Sequence, residues 1–240
     1  MQPTMPRGKI YLIPTTLGSY ETSDQVLPSY NIQIIFGLTE FIVEQVRTSR
    51  RFLSFIKHPV PIDQLVFHEL NKTTLHKDIS QYLESIQDGK SIGLLSEAGT
   101  PCVADPGAKV VEMAQERGYA VVPLVGPNSL ILALMGSGFN GQHFVFHGYL
   151  PIDKSELIKK IHEMEGNIFR RSQTQLFIET PFRNDAMFDI LVNNCQPVTK
   201  LCLATDITLS SETIVTKTIA LWKKEKPDLH KKPTVFLLYK

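Results

Sequence analysis

The chain has 240 residues, of which 42% are hydrophobic, 20% charged and 9% aromatic. That composition belongs to a globular protein with a sizeable core and excludes disordered, collagen-like and coiled-coil readings. Lysine and arginine total 25 against 24 aspartates and glutamates, so there is no global pull towards nucleic acid and any RNA site must be a local patch.

In chain order, short apolar runs alternate with longer amphipathic segments, which predicts strands joined by crossover helices in a mostly parallel sheet. Strands are predicted over Lys9–Pro14, Glu40–Glu44, Gln64–His68, Ser91–Ser96 and Ala120–Leu124. Helices are predicted over Ser49–Lys57, Thr74–Gln87 and Pro106–Arg117, with Leu75, Ile79, Tyr82, Leu83 and Ile86 showing the three- and four-residue spacing best. Ile32 to Leu38 fits a strand and a helix equally on periodicity. A short apolar helix at Ser129–Met135 precedes the glycine-rich Gly136-Ser-Gly-Phe-Asn-Gly141, which reads as an inter-domain connector. The domains expected are therefore residues 1–138 and 139–240. The second is read as another α/β unit, with strands over His143–Leu150, Thr174–Glu179, Lys200–Asp206, Ser211–Thr218 and Thr234–Tyr239, adjacent ones antiparallel. Its helices are expected at Lys154–Glu165, Asn184–Asn193 and Ile219–Lys224.

Cys102, Cys195 and Cys202 form no CxxC pair and no zinc spacing, which argues for a reducing compartment. Arg7 and Lys9 precede only Ile10-Tyr11-Leu12-Ile13 before Pro14, too short for a signal-peptide core, and no stretch approaches the ~20 apolar residues of a membrane span. A cytoplasmic protein without membrane contact is expected. Asn71-Lys72-Thr73 is a glycosylation sequon with no meaning there.

Gly136-x-Gly138-x-x-Gly141 matches the dinucleotide fingerprint by letter, but here a helix precedes and a strand follows, the reverse of the order that aims a helix N-terminus at a pyrophosphate. His143 and His147 share a strand face without completing a ligand set, so no metal is expected. More informative is Ser96-Glu-Ala-Gly-Thr-Pro-Cys-Val-Ala-Asp-Pro-Gly107, a buried-strand run ending in small, turn-forming residues. Asp105 and Pro106 would serve as helix cap and first helical residue. The small residues before them let a ligand approach backbone groups at the carboxyl edge of the sheet. Gly126-Pro127-Asn128-Ser129 is a second loop of this kind. Arg47, Arg50 and Arg51 with Thr48, Lys57 and His58 make one concentrated basic patch, a solvated helix face or a phosphate contact.

Five motifs in order, Ser96–Pro101 with Asp105-Pro-Gly107, Pro123-x-x-Gly-Pro-x-Ser129, Ser137-Gly138, Phe144-x-Phe-x-Gly-Tyr-Leu-Pro151 and Glu179-Thr-Pro-x-Arg183, resemble the tetrapyrrole-methylase superfamily. Within it the chain resembles the branch that 2′-O-methylates ribose in small-subunit ribosomal RNA, the ribosomal RNA small-subunit methyltransferase I type. The resemblance implies two α/β domains, the first mostly parallel and the second mixed, with S-adenosylmethionine (SAM) bound in a cleft between them, usually in a homodimer. It also implies a helix at Ile32–Leu38. Carried over by position, the SAM contacts are Ala98, Gly99, Thr100, Pro101, Val103, Ala104, Ser129, Glu179, Thr180, Pro181, Leu203 and Ala204.

A ribose hydroxyl needs a group to take or share its proton, and alignment of acceptor with methyl is the main further demand. Glu44, Glu97 and Asp105 are the carboxylates expected near the site; Glu44 is taken as base or orienting group and Arg47 as phosphate holder. The chain departs from the branch at Ser19, where the branch has asparagine, and at Glu44-Gln45-Val46-Arg47, where it reads Glu-Asp-Thr-Arg. Its last strand ends at Tyr239-Lys240 without the branch's common C-terminal extension. A tetrapyrrole or other small acceptor, and a non-catalytic SAM- or RNA-binding module, are the alternative readings.

Overall fold

The computed structural model describes residues 8–71 and 73–240; Arg7 and Lys72 of the segments discussed above lie outside them. Among the described residues the chain forms ten strands and ten α-helices. It divides between Asn128 and Ser129 into two compact units.

In unit 1 the strands are β1 (Lys9–Ile13), β2 (Glu40–Val43), β3 (Val66–Glu69), β4 (Ile92–Leu95) and β5 (Ala120–Pro123). They form a fully parallel sheet in the order β3-β2-β4-β1-β5. The helices are α1 (Ser23–Val26), α2 (Ser29–Phe36), α3 (Val46–Phe55), α4 (His76–Tyr82), α5 (Glu84–Gln87) and α6 (Ala108–Glu116). A parallel sheet must be covered on both faces, and alternation along the strands provides two cores. Ile10, Leu12, Ile92 and Leu94 pack with Ile79, Leu83, Ile86, Val110 and Met113 on one side. Ile13, Phe41, Val43 and Leu95 pack with Ile35, Phe52 and Leu53 on the other. In the central strand a Cβ at Gly93 would lie 2.6 Å from Ile13 Cδ1 and 2.9 Å from Phe41 Cδ1. Glycine there lets flanking side chains close over β4, and Phe41, fully buried, would cost about 3–5 kcal/mol to truncate to alanine.

Residues 32–36 are helical, as the resemblance implied. The helix expected over 74–87 is broken at Leu83 into α4 and α5, and α3 starts three residues earlier than its apolar pattern suggested.

Unit 2 contains α7 (Ser129–Ser137), β6 (Phe144–Tyr149), α8 (Lys154–Arg171), β7 (Thr174–Ile178), α9 (Asn184–Asn194), β8 (Lys200–Thr205), β9 (Thr213–Thr218), α10 (Ile219–Trp222) and β10 (Thr234–Tyr239). The sheet order is β6-β7-β10-β8-β9. The β6–β7 pair is parallel, against the antiparallel expectation, because α8 intervenes as a crossover; the other pairs are antiparallel. Asp153 caps α8 by accepting from Ser155 N and Glu156 N at 2.9 Å, and Ser172 ends it in the left-handed region at φ 52°. The helix outruns the expected Glu165 by six residues, since Leu157, Ile161, Met164 and Ile168 continue one buried stripe.

The expected boundary at 138/139 is corrected to 128/129: α7 packs on β8, β9 and β10 and so belongs to unit 2. The Gly136–Gly141 segment is accordingly no connector between domains. Gly136 sits inside α7, where a Cβ would lie 2.7 Å from Ile214 Cδ1, and Gly138 follows the helix at φ 74°. No helix among the described residues is long and apolar enough to cross a membrane.

Candidate functional site

All carboxyl ends of a parallel sheet lie on one edge, and three loops of unit 1 interlock there. Ser96 N donates to Ile13 O at 3.1 Å, Thr15 N to Gly99 O at 3.0 Å and Gly99 N to Thr16 O at 3.3 Å. The buried Thr15 hydroxyl donates to Ser96 O at 3.2 Å. Gly99 has φ 71°, and a Cβ there would fall 2.7 Å from Leu17 Cδ2 and 3.0 Å from Pro127 O. Conformation and space both demand glycine. Asn128 Nδ2 donates to Thr100 Oγ1 at 2.6 Å, which joins the loop after β5 to the loop after β4.

Cys102 and Ala104 are also left-handed, at φ 67° and 58°, at about 1–2 kcal/mol each. Asp105 Oδ1 accepts from Cys102 N at 3.3 Å and Gly107 N at 2.9 Å. Asp105 and Pro106 therefore do not cap and open the helix as expected. The carboxylate is used inside the loop, and α6 starts at Ala108. Burial, with a smaller push from Asp105, raises the Cys102 thiol to about 11, so it is no nucleophile at neutral pH.

At the end of β2, Glu44 is exposed, and Arg47 is exposed in the first turn of α3. Thr48 Oγ1 donates to Glu97 Oε1 at 2.6 Å, and Tyr20 OH donates to Thr48 O at 3.3 Å. Burial first, and Glu97 second, push the Tyr20 phenol up. The basic patch is smaller than expected. Arg50 lies over the Phe67 ring, 5.5 Å from its centroid. His58 is structural, its Nε2 3.1 Å from the carbonyl oxygens of both Ile35 and Leu38.

The remaining candidates are in unit 2. Ser129 opens α7. Glu179 follows β7 and is buried; its Oε1 accepts from Thr180 N at 2.7 Å. Its Oε2 is ion-paired with Arg183 Nη2 at 3.2 Å but accepts no hydrogen bond among the described residues. Such a buried acceptor is costly until a donor reaches it, so Glu179 fits a ligand rich in hydroxyl and amino donors, as SAM is. Leu203 and Ala204 lie in β8 between β10 and β9, 2% and 0% exposed, and Leu203 belongs to the core. His147 bonds Gln175 at 2.8 Å and His143 bonds Gln173 at 2.9 Å, so each histidine has an amide partner.

The Thr48–Glu97 and Asn128–Thr100 pairs are the functional-edge contacts that sequence reasoning missed. Their partners stand 49 and 28 residues apart, and only the strand order brings them together.

No family model matches the chain. Among solved structures, the methyltransferase CobJ superposes with TM-score 0.63 at 16% identity, covering 97% of this chain and 94% of that one. Uroporphyrin-III C-methyltransferase of Thermus thermophilus, complexed with S-adenyl homocysteine, superposes with TM-score 0.53 at 14% identity, covering 97% and 98%. The fold is that of these two solved methyltransferases. In sequence the chain is similar to curated ribosomal RNA small subunit methyltransferase I proteins. The protein of Bacillus subtilis is 32% identical over 176 residues, 73% of this chain. That of Halalkalibacterium halodurans is 28% identical over 202 residues, 81% of this chain. The chain spans 56% and 65% of the lengths of these two relatives. The five-motif resemblance thus agrees with both comparisons.

Proposed function

We propose that the chain is a SAM-dependent methyltransferase that 2′-O-methylates a ribose in small-subunit ribosomal RNA. The observation that carries this reading is the loop Ala98–Ala104, left-handed at Gly99, Cys102 and Ala104, in a fold whose solved representative holds S-adenyl homocysteine. The RNA acceptor follows the names of the sequence relatives.

The SAM contacts proposed in unit 1 are Ala98, Gly99, Thr100, Pro101, Val103 and Ala104, on a loop of mostly small residues, and those proposed in unit 2 are Ser129, Glu179, Thr180, Pro181, Leu203 and Ala204. When bound, SAM supplies an electrophilic methyl on a sulfonium. The protein's own work would be to align the acceptor oxygen and handle its proton, with no strong counter-charge required at the donor. Glu44, exposed at the carboxyl edge of the sheet, takes or shares the ribose hydroxyl proton. Arg47, one turn on, holds a neighbouring phosphate. It acts in the cytoplasm and as a homodimer, and light scattering reads the oligomeric state.

The deciding experiment is transfer of labelled methyl from SAM to small ribosomal subunits from a strain lacking this protein. RNase-sensitive incorporation, lost in Glu44→Gln while SAM affinity is retained, supports the reading. SAM binding without incorporation would overturn the RNA assignment in favour of a tetrapyrrole or other acceptor, or of a non-catalytic module.

A further inference from the structure

Unit 2 contains a cavity of about 370 Å³ that the SAM set does not use. It lies where β8 begins and β9 and β10 end: Lys200 is in register with Thr218 on one side and Tyr239 on the other. Glu179 follows the opposite end of the sheet, since Ile178 pairs with Val235. Val235 and Tyr239 are four residue steps apart along the strand, about 13 Å. The cavity therefore lies away from Glu179, Thr180 and Pro181, and its lining shares no residue with the proposed SAM set.

Three lysines line it, Lys200, Lys217 and Lys240, together with Phe139, Tyr239 and Leu221. Lys217 is held by Glu225 at 2.5 Å and lies 4.7 Å from the Trp222 ring centroid, so its charge is largely answered. Lys200 is exposed, and among the described residues Lys240 donates only to the neutral Ser172 hydroxyl, at 2.7 Å. Among the described residues neither Lys200 nor Lys240 is ion-paired with a side-chain carboxylate. The Phe139 and Tyr239 rings, with centroids 5.5 Å apart and planes at 40°, give the wall an apolar, aromatic surface, extended by the half-exposed Leu221.

We infer that this cavity binds a single-stranded segment of RNA, with backbone phosphates on Lys200 and Lys240 and a base against Phe139 and Tyr239. A bare anion has no use for the aromatic wall, and a duplex keeps its bases stacked inside; single strands use cations and ring faces together. The volume falls within the range of sites that hold a nucleotide-sized group. The inference rests on the RNA reading above and adds a second point of contact in unit 2.

The test uses the full chain and a fluorescein-labelled single-stranded RNA 12-mer, with anisotropy read across a salt series. Lys200→Ala/Lys240→Ala and the charge-reversed Lys200→Glu/Lys240→Glu should each bind about tenfold more weakly. The slope of log affinity against log salt should fall by about 1.4, because each phosphate contact on a single strand contributes about 0.7. SAM affinity by calorimetry should stay unchanged, which shows both variants folded. Unchanged RNA affinity and slope in both variants would overturn the site while leaving methyl transfer to ribosomal subunits standing. Lysine-dependent binding of AMP or inorganic phosphate without competition by RNA would overturn it in favour of a small-anion site. Absence of both RNA binding and methyl transfer in the unsubstituted chain would remove the RNA reading itself.

Discussion

The Thr48 hydroxyl donates to Glu97 Oε1 at 2.6 Å, which ties the first turn of α3 to the loop after β4. Because Tyr20 donates to the Thr48 carbonyl, three separate segments share one residue. Thr48→Val keeps the shape and removes the donor. A bond to a charged acceptor is worth about 1.5–3 kcal/mol, and partial exposure lowers the expected loss to about 1 kcal/mol. Urea unfolding reads it, Thr48→Ser should recover it, and equal stability of all three proteins would show the pair to be idle.

Gly99→Ala is expected to cost about 1–3 kcal/mol, from a left-handed backbone and the collision with Leu17 and the Pro127 carbonyl. SAM affinity should fall at least tenfold, because relieving the clash moves the loop. Calorimetry and thermal melting check both. A stable variant that still binds SAM normally would exclude the loop from the site.

Burial raises all three thiols, Cys102 and Cys202 to about 11. At pH 8 a thiol at that value is about one part in a thousand thiolate. The native protein should therefore resist iodoacetamide, while the unfolded chain takes up three labels. Between pH 9 and 11 the native state keeps protons the unfolded chain releases, so stability should fall as pH rises. Rapid labelling of all three thiols in the native protein would contradict the buried placement of Cys195 and Cys202.

His147 has its pKa lowered mainly by burial, against an opposing push from the Gln175 bond. Below about pH 6.5 the unfolded chain binds a proton that the native state refuses, so stability should drop as pH falls through that value. In His147→Gln the difference between urea midpoints at pH 7 and pH 5 should shrink. A difference of the same size would assign the acid sensitivity elsewhere.

The alternation of apolar runs with amphipathic segments made all five strands of unit 1 legible, because a sheet buried on both faces leaves continuous hydrophobic stretches such as Ile92–Leu95. The loop 96–107 was legible for a similar reason: small residues after a buried strand have few other uses. What escaped depended on long-range packing. Asp105 bonds within its loop because Cys102 and Ala104 turn left-handed, which no local propensity indicates. The affiliation of α7 is decided by strands up to 110 residues later in the chain, since β10 ends at Tyr239. Ile32–Leu38 was undecidable by period and became clear only through the motif resemblance.

The sheet of unit 2 places β10 between β7 and β8. During translation, unit 1 has all its strands once residue 123 has emerged, and it can fold while synthesis continues at about 5–20 residues per second. Unit 2 then holds two separate strand pairs, β6–β7 and β8–β9, with unpaired inner edges. Residues 234–239 join them by pairing on both sides at once. One six-residue segment, made more than a hundred residues after unit 1 is complete, therefore sets the moment at which the second half of the protein becomes a closed sheet.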